Sequence, residues 1–269
     1  MAITTLAGAA AGALVSVDFI KTTGVALTGV GVPMSLAYGA GYPPVMTVPT
    51  GATGTALTSL VGQLPFPAAT SGNTYIAKFE ASTTVGGTLI LYDRLWHNGS
   101  LSATLTTAQT ISSVAWPARD INGATAGEGV YVGLEISTTT GAAAPTLTLS
   151  YTNSAGVAGR TGVNIMTTIA SSGAGVLYPF SLQNGDTGVQ SIQTLTLSTS
   201  WLSGAINLVA YRPVLKLATN VNRQLPYSVD AFTGCMPRLF DNSVPMLMFH
   251  PKNSGVAVSV NGYLEYTRG

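Results

Sequence analysis

The chain has 269 residues, of which 46% are hydrophobic and only 8% charged, and its formal net charge is +1. That much apolar mass builds a core for one large domain or two small ones, while eleven basic residues scattered singly form no phosphate-tracking stripe and exclude nucleic acid as a partner. A mean hydropathy of +0.37 with so little charge points to surface covered by copies of the same chain or by a larger assembly.

In chain order, the first feature is LAGAAAGALVSVDFI at 6–20. No basic segment precedes the run, and Asp18 interrupts it short of the ~18–20 residues a membrane span needs. It reads as an apolar segment that packs on a partner, in a protein made in the cytoplasm, not exported and without membrane contact. One short helix over 3–16 is expected. Residues 1–70 hold only Asp18 and Lys21 as charges, and carry Pro33, Pro43, Pro44, Pro49, Pro65 and Pro67. The stretch Gly39–Pro44 is a turn-rich connector. The expectation for 1–72 is therefore an extended assembly arm, draped over neighbouring subunits through Leu14, Val15, Phe19, Tyr38, Tyr42 and Phe66.

From residue 73 the hydrophobic period becomes two. Strands are expected over 75–80, 88–92, 110–115, 129–137, 145–152, 188–198, 204–217, 244–250 and 256–267, all rich in Val, Ile, Thr and Tyr. Short turn-bearing connections and the absence of a 3.6-residue period predict an all-β fold, an antiparallel β-sandwich over 73–269. Asn-Gly occurs at 98–99, 122–123, 184–185 and 261–262, and each pair marks an expected hairpin turn, most clearly between 256–260 and 263–266. The TLTLS of 146–150 returns at 194–198, which reads as two generic half-buried strands.

Chemistry is sparse. His97 and His250 are the only histidines, and Asp93, four residues from His97 on a strand, stands ~13 Å away along it. No nucleophile elbow and no phosphate loop occurs. The oxygen-rich stretch 120–128 offers calcium ligands in principle, but reads as a loop held by a capping Asp120. Cys235 stands alone, so neither a disulfide framework nor a cysteine zinc site is expected, only a buried thiol. The expectation is no catalytic residue, no metal and no cofactor, hence no enzyme. Trp96, Trp116 and Trp201 read as core or interface anchors in preference to a sugar-binding face.

Charge gathers at one place, LYDRLWHNGS at 91–100. Simple alternation puts Tyr92, Arg94 and Trp96 on one face, with Arg94 stacked on Trp96 against a partner strand or subunit. Asp93 is expected to pair with an arginine from another element, such as Arg238 in the similar run Arg238–Asp241, and so to fix register and orientation. Asn98-Gly99-Ser100 matches a glycosylation acceptor, but a turn is the preferred reading.

Together, LYDRLWHNGS, TTAQTISSVAWPARDINGATAGEGV (106–130), SYTNSAGVAGRTG (150–162), LQNGDTGVQSIQTLTLSTSW (182–201), INLVAYRP (206–213) and PRLFDNSVPMLMF (237–249) resemble a family of tailed-phage virion structural proteins. The resemblance spans roughly 73–269 and brings no catalytic motif. It implies a jelly-roll-like sandwich, often trimeric, that clamps capsid subunits from outside or belongs to a tail or fibre. The expected function is a capsid decoration or cement protein, a homotrimer bound to the major capsid protein or another virion protein. The alternative is a tail or fibre component that binds a host glycan.

Overall fold

The computed structural model describes residues 5–23, 29–220, 226–233, 236–253 and 255–268; the expected buried thiol Cys235 lies outside them. In chain order the elements are a short helix α1 (Leu6–Ala11), β1 (Ala13–Thr22), β2 (Met34–Ser35), a 3-10 turn (Leu36–Tyr38), β3 (Gly41–Tyr42) and β4 (Thr55–Ala56). There follow β5 (Thr74–Thr83), β6 (Gly87–Ser102), β7 (Gln109–Thr110), β8 (Tyr131–Thr138), β9 (Leu147–Asn153), β10 (Arg160–Val163) and β11 (Leu177–Pro179). The chain closes with β12 (Val189–Leu197), β13 (Ala205–Thr219), β14 (Tyr227–Asp230), β15 (Arg238–Leu239), β16 (Pro245–Pro251) and β17 (Ser259–Arg268). Among the described residues no helix is long and apolar enough to cross a membrane.

The fold is all-β, as the period-two patterning predicts. Three antiparallel sheets form: β14-β5-β17-β1-β3, β10-β9-β12-β7, and a central sheet β11-β8-β13-β6-β16-β2. One continuous core lies between them. Leu89, Leu91, Leu95, Leu208 and Leu217 of the central sheet meet Phe19, Phe79 and Leu264 of the first sheet and Leu149, Tyr151 and Leu195 of the second. The TLTLS echo explains itself here, because the two copies are neighbours. Leu149 faces Leu195 and Leu147 faces Leu197 across β9 and β12, with the leucines buried and the intervening hydroxyl residues half-buried.

The central sheet is buried on its second face as well. Ile90, Tyr92, Val209, Tyr211, Met246 and Met248 point away from the main core and pack under Ala37, Met46 and Leu57, with Tyr38, Val48 and Leu60 against them. This double burial makes β6 a nearly unbroken buried run, the pattern of a strand covered on both sides.

That cover corrects the arm expectation. The described residues between 13 and 60 are used inside the chain: β1 pairs along its whole length with β17, β2 pairs with β16, β4 with β6, and 37–60 roof the central sheet. Strand β1 escapes detection in the sequence because its inward positions are Val17, Phe19 and a lysine. Lys21 is buried, and its ammonium donates to the carbonyls of Gly39 (2.7 Å), Pro43 (2.9 Å) and Pro44 (3.4 Å). Three carbonyls replace its water shell, and burial lowers its pKa to about 8. The expected helix shrinks to α1, and of the expected strand at 110–115 only Thr110 lies in a strand, the two-residue β7.

Two Asn-Gly pairs are turns, at 122–123 and 184–185, with positive φ at Gly123 and Gly185. The other two lie inside β6 and β17. There the glycine serves close approach instead of a turn: a Cβ at Gly99 would lie 2.6 Å from the Pro49 carbonyl oxygen, and one at Gly262 would collide with the Glu80 carbonyl and the Phe19 ring.

Candidate functional site: a buried charge cluster

The crowded decapeptide 91–100 sits in the middle of β6, with β13 along one edge and, on the other, β16 as far as Asp93 and β4 at Trp96 and His97. Its side chains do not follow simple alternation. The pairing with β13 steps from Arg94↔Tyr211 to Trp96↔Ala210, so Leu95 is an extra, bulged residue. The bulge turns Leu95 and Trp96 both into the main core, where Trp96 packs on Trp116 at 6.4 Å between centroids. The expected stack of Arg94 on Trp96 does not form. Among the described residues, the cations over aromatic rings are Lys78, Arg212 and Arg238.

Two ion networks result, one on each side of the strand. Asp93 is fully buried and does pair with arginines from other elements, but these are Arg119 (3.5 Å) and Arg212 (3.9 Å), not Arg238. Its carboxylate also accepts from the Ser243 hydroxyl (3.0 Å) and the Val244 amide (2.8 Å). Burial lowers the pKa of Arg119, with Asp93 opposing, and acts on Arg212 in the same way. Arg119 uses its second amino group on the carbonyls of Leu57 (2.8 Å) and Arg94 (3.2 Å), so it ties the covering segment to β6. Arg238 lies exposed over the Phe240 ring, 4.5 Å from its centroid.

On the outer face, Arg94 holds Glu135 of β8 with two bonds, 2.9 and 2.8 Å, both side chains fully buried. Burial alone opposes the guanidinium charge, but Glu135 outweighs it and the Arg94 pKa rises. The Tyr38 hydroxyl donates to Glu135 at 3.1 Å, and burial, then the Glu135 charge, push the tyrosine up. His97 completes the chain: Nδ1 lies 2.7 Å from an Arg94 amino group and Nε2 2.8 Å from the Pro49 carbonyl. Arg94 can only donate, so the imidazole is neutral, accepting at Nδ1 and donating from Nε2. Burial first, and Arg94 second, lower its pKa to about 4.

This arrangement is a clamp. The His97 Nδ1 lone pair is engaged by Arg94, and Asp93 and His97 serve different networks. Of the expected interface residues, Leu14 (61% exposed) and Tyr42 (51% exposed) lie on the surface, as do Arg238 and Asp241. Phe19 is core, Phe66 packs edge-on against Tyr266, and Tyr38, Asp93, Arg94 and Trp96 are turned inward; burial bars Asp93, Arg94 and Trp96 from touching a neighbouring subunit. Trp96, Trp116 and Trp201 are all buried, so no tryptophan is free to stack on a sugar. The Asp120 carboxylate accepts from the amides of Asn122, Ala124, Gly127 and Glu128 at 2.8–3.3 Å, the capping role the sequence suggests. Among the described residues no group of three or more His, Cys, Asp or Glu side chains is placed to hold a metal ion.

Arg119, Glu135 and Arg212 are the partners the sequence reading misses. The signal was present, since Glu135 in YVGLEIST and Arg212 in NLVAYRPV are lone charges inside apolar strand runs. In a chain with 8% charge, such residues are candidates for mutual burial.

The open part of the outer face forms a cleft of about 500 Å³, walled by Ile90, Tyr131, Ile165, Tyr211 and Met248, with Lys216 and His250 along one side. Burial, and then Lys216, lower the His250 pKa to about 4.

No protein-family model and no curated protein matches the chain. Among solved structures, a subviral particle of infectious bursal disease virus VP2 aligns at 9% identity over 96% of this chain and 80% of that chain, with a TM-score of 0.23. The Gt strain of the same virus aligns at 10% identity over 95% and 81%, with a TM-score of 0.21. A likeness of this size transfers neither fold nor function.

Proposed function

We propose that this chain is a structural subunit of a virus particle, and specifically a decoration or cement protein on the outside of a tailed-phage head. The observation that carries the reading is where the molecule puts its charges and its apolar groups. Of its eleven basic and ten acidic residues, five are committed to the buried Arg94–Glu135 and Arg119–Asp93–Arg212 networks, while Leu14, Ile20, Tyr42, Val45, Ile121 and Ile165 stand about half exposed or more. A free monomer gains from the reverse arrangement, and a permanently assembled subunit from this one. The motif resemblance narrows the assembly to a phage virion, with the chain's own copies and the major capsid protein as partners.

Under this reading the protein has no catalytic role, and the clamp keeps the sandwich in one register. The test is mass spectrometry of purified particles followed by cryo-electron microscopy. The expected result is the chain at lattice stoichiometry on the outer head surface. Absence from particles overturns the virion reading, and tail-tip density overturns the decoration reading in favour of a host-binding component. Removing 1–20 is not a usable probe of assembly, because it deletes most of β1, a strand of the chain's own sheet.

A further inference from the structure

We infer that copies of this chain join head to tail, with Phe232 of one copy seated in the apolar cleft of the next. The inference rests on the reading of the chain as an assembly subunit and names the contact that builds the assembly.

The knob comes first. Phe232 is 97% exposed, and it stands on a turn that holds it out. The Asp230 Oδ1 atom accepts from the amides of Phe232 and Thr233 (both 2.9 Å) and from the Thr233 hydroxyl (3.0 Å), while the Asp230 amide donates to that hydroxyl (3.1 Å). These bonds, first the Thr233 amide and hydroxyl, hold the Asp230 carboxyl below its ordinary pKa. The knob is therefore an aromatic ring with an ionised carboxylate two residues away. A preformed turn also lowers the ordering cost of docking.

The socket is the cleft on the outer face of the central sheet. The covering segment roofs Tyr92, Val209 and Met246 but leaves Ile90, Tyr211 and Met248 lining an opening of about 500 Å³, beside Tyr131 and Ile165. That volume receives a benzyl group with room for its flanking backbone. Lys216, exposed at the rim, supplies the cation opposite the Asp230 carboxylate. An apolar knob with a negative collar thus matches an apolar socket with a positive rim. Knob and socket are different surfaces, so the contact is heterologous, and it closes a ring when the rotation from one copy to the next divides a full turn.

Such a contact has a signature that a self-complementary interface lacks. Sedimentation equilibrium of the full chain is expected to give a closed oligomer, and Phe232→Ala and Ile165→Glu are each expected to weaken association about thirty-fold or more. Both positions are exposed, and thermal melts check that each variant keeps its fold. Mixed, the two variants must form a 1:1 dimer, because the first retains a socket and the second a knob. Lys216→Glu should weaken association most at low salt. A monomeric wild type, a Phe232→Ala oligomer of unchanged mass, or a mixture that stays monomeric overturns the inference. The virion reading is judged separately, by whether the wild-type chain is found in particles.

Discussion

Acid should loosen this protein in a window set by His97. The unfolded chain takes up a proton on that imidazole near pH 6.5, whereas the folded protein resists until about 4. Its contribution to stability is thus fully present above pH 6.5 and is lost progressively as the pH falls toward 4. At ~1.4 kcal/mol per tenfold change in proton affinity, the difference amounts to ~3 kcal/mol. The structural cause is specific: protonation places an N–H at Nδ1 against the Arg94 guanidinium 2.7 Å away, and the Pro49 carbonyl bond then tethers a charged ring. His97→Gln removes the titration while keeping groups that accept and donate. Urea unfolding followed from about pH 7 to about 4.5 should show wild-type stability falling more steeply than that of the variant. His250, also held near 4, contributes equally to both proteins and cancels in the comparison. Equal slopes in the two proteins would refute the assignment of His97 as a buried neutral acceptor.

Other perturbations probe the remaining supports. Asp93→Asn leaves Arg119 and Arg212 buried without their shared carboxylate and should cost about 3–5 kcal/mol, read as a lower urea midpoint. Leu195→Ala empties a fully buried site opposite Leu149, with an expected loss of about 2–5 kcal/mol in the same assay. Lys21→Met strips three carbonyls of their donor and should cost about 1–3 kcal/mol, with faster proteolysis in the connector 39–44.

The sequence shows the sandwich wherever period-two alternation survives. Strands β5, β8, β9, β12, β13, β16 and β17 are legible because each alternates or runs apolar between turn residues. It conceals what tertiary contact decides. Lys21 on an inward position hides β1, since its three carbonyl partners are supplied by a distant connector. The bulge at Leu95 reverses the facing of Trp96, and no local rule locates it. Asn98-Gly99 and Asn261-Gly262 mimic turns, although their glycines are there to let a neighbouring strand or segment approach. The charged decapeptide is conspicuous from composition alone, and the need for arginine partners follows from Asp93. Which arginines answer depends on β13 and on the loop before β8, more than a hundred residues and some twenty-five residues away.

The placement of charge links the fold to the proposed role. A sandwich of Val, Thr and Leu strands is poorly specified, because slipping a strand by two residues exchanges similar side chains. Asp93 opposite Arg212, and Arg94 held by Glu135 of β8 with two bonds, fit one register of β6, β13 and β8 and penalise others with buried unpaired charge. Arg119, His97 and Tyr38 extend the same penalty to the covering segment 37–57 through Leu57, Pro49 and Glu135. With register fixed from inside, the surface no longer has to carry specificity through its own charges. Apolar groups such as Phe232 and Ile165 can then stand on the surface, the arrangement on which the proposed assembly role rests.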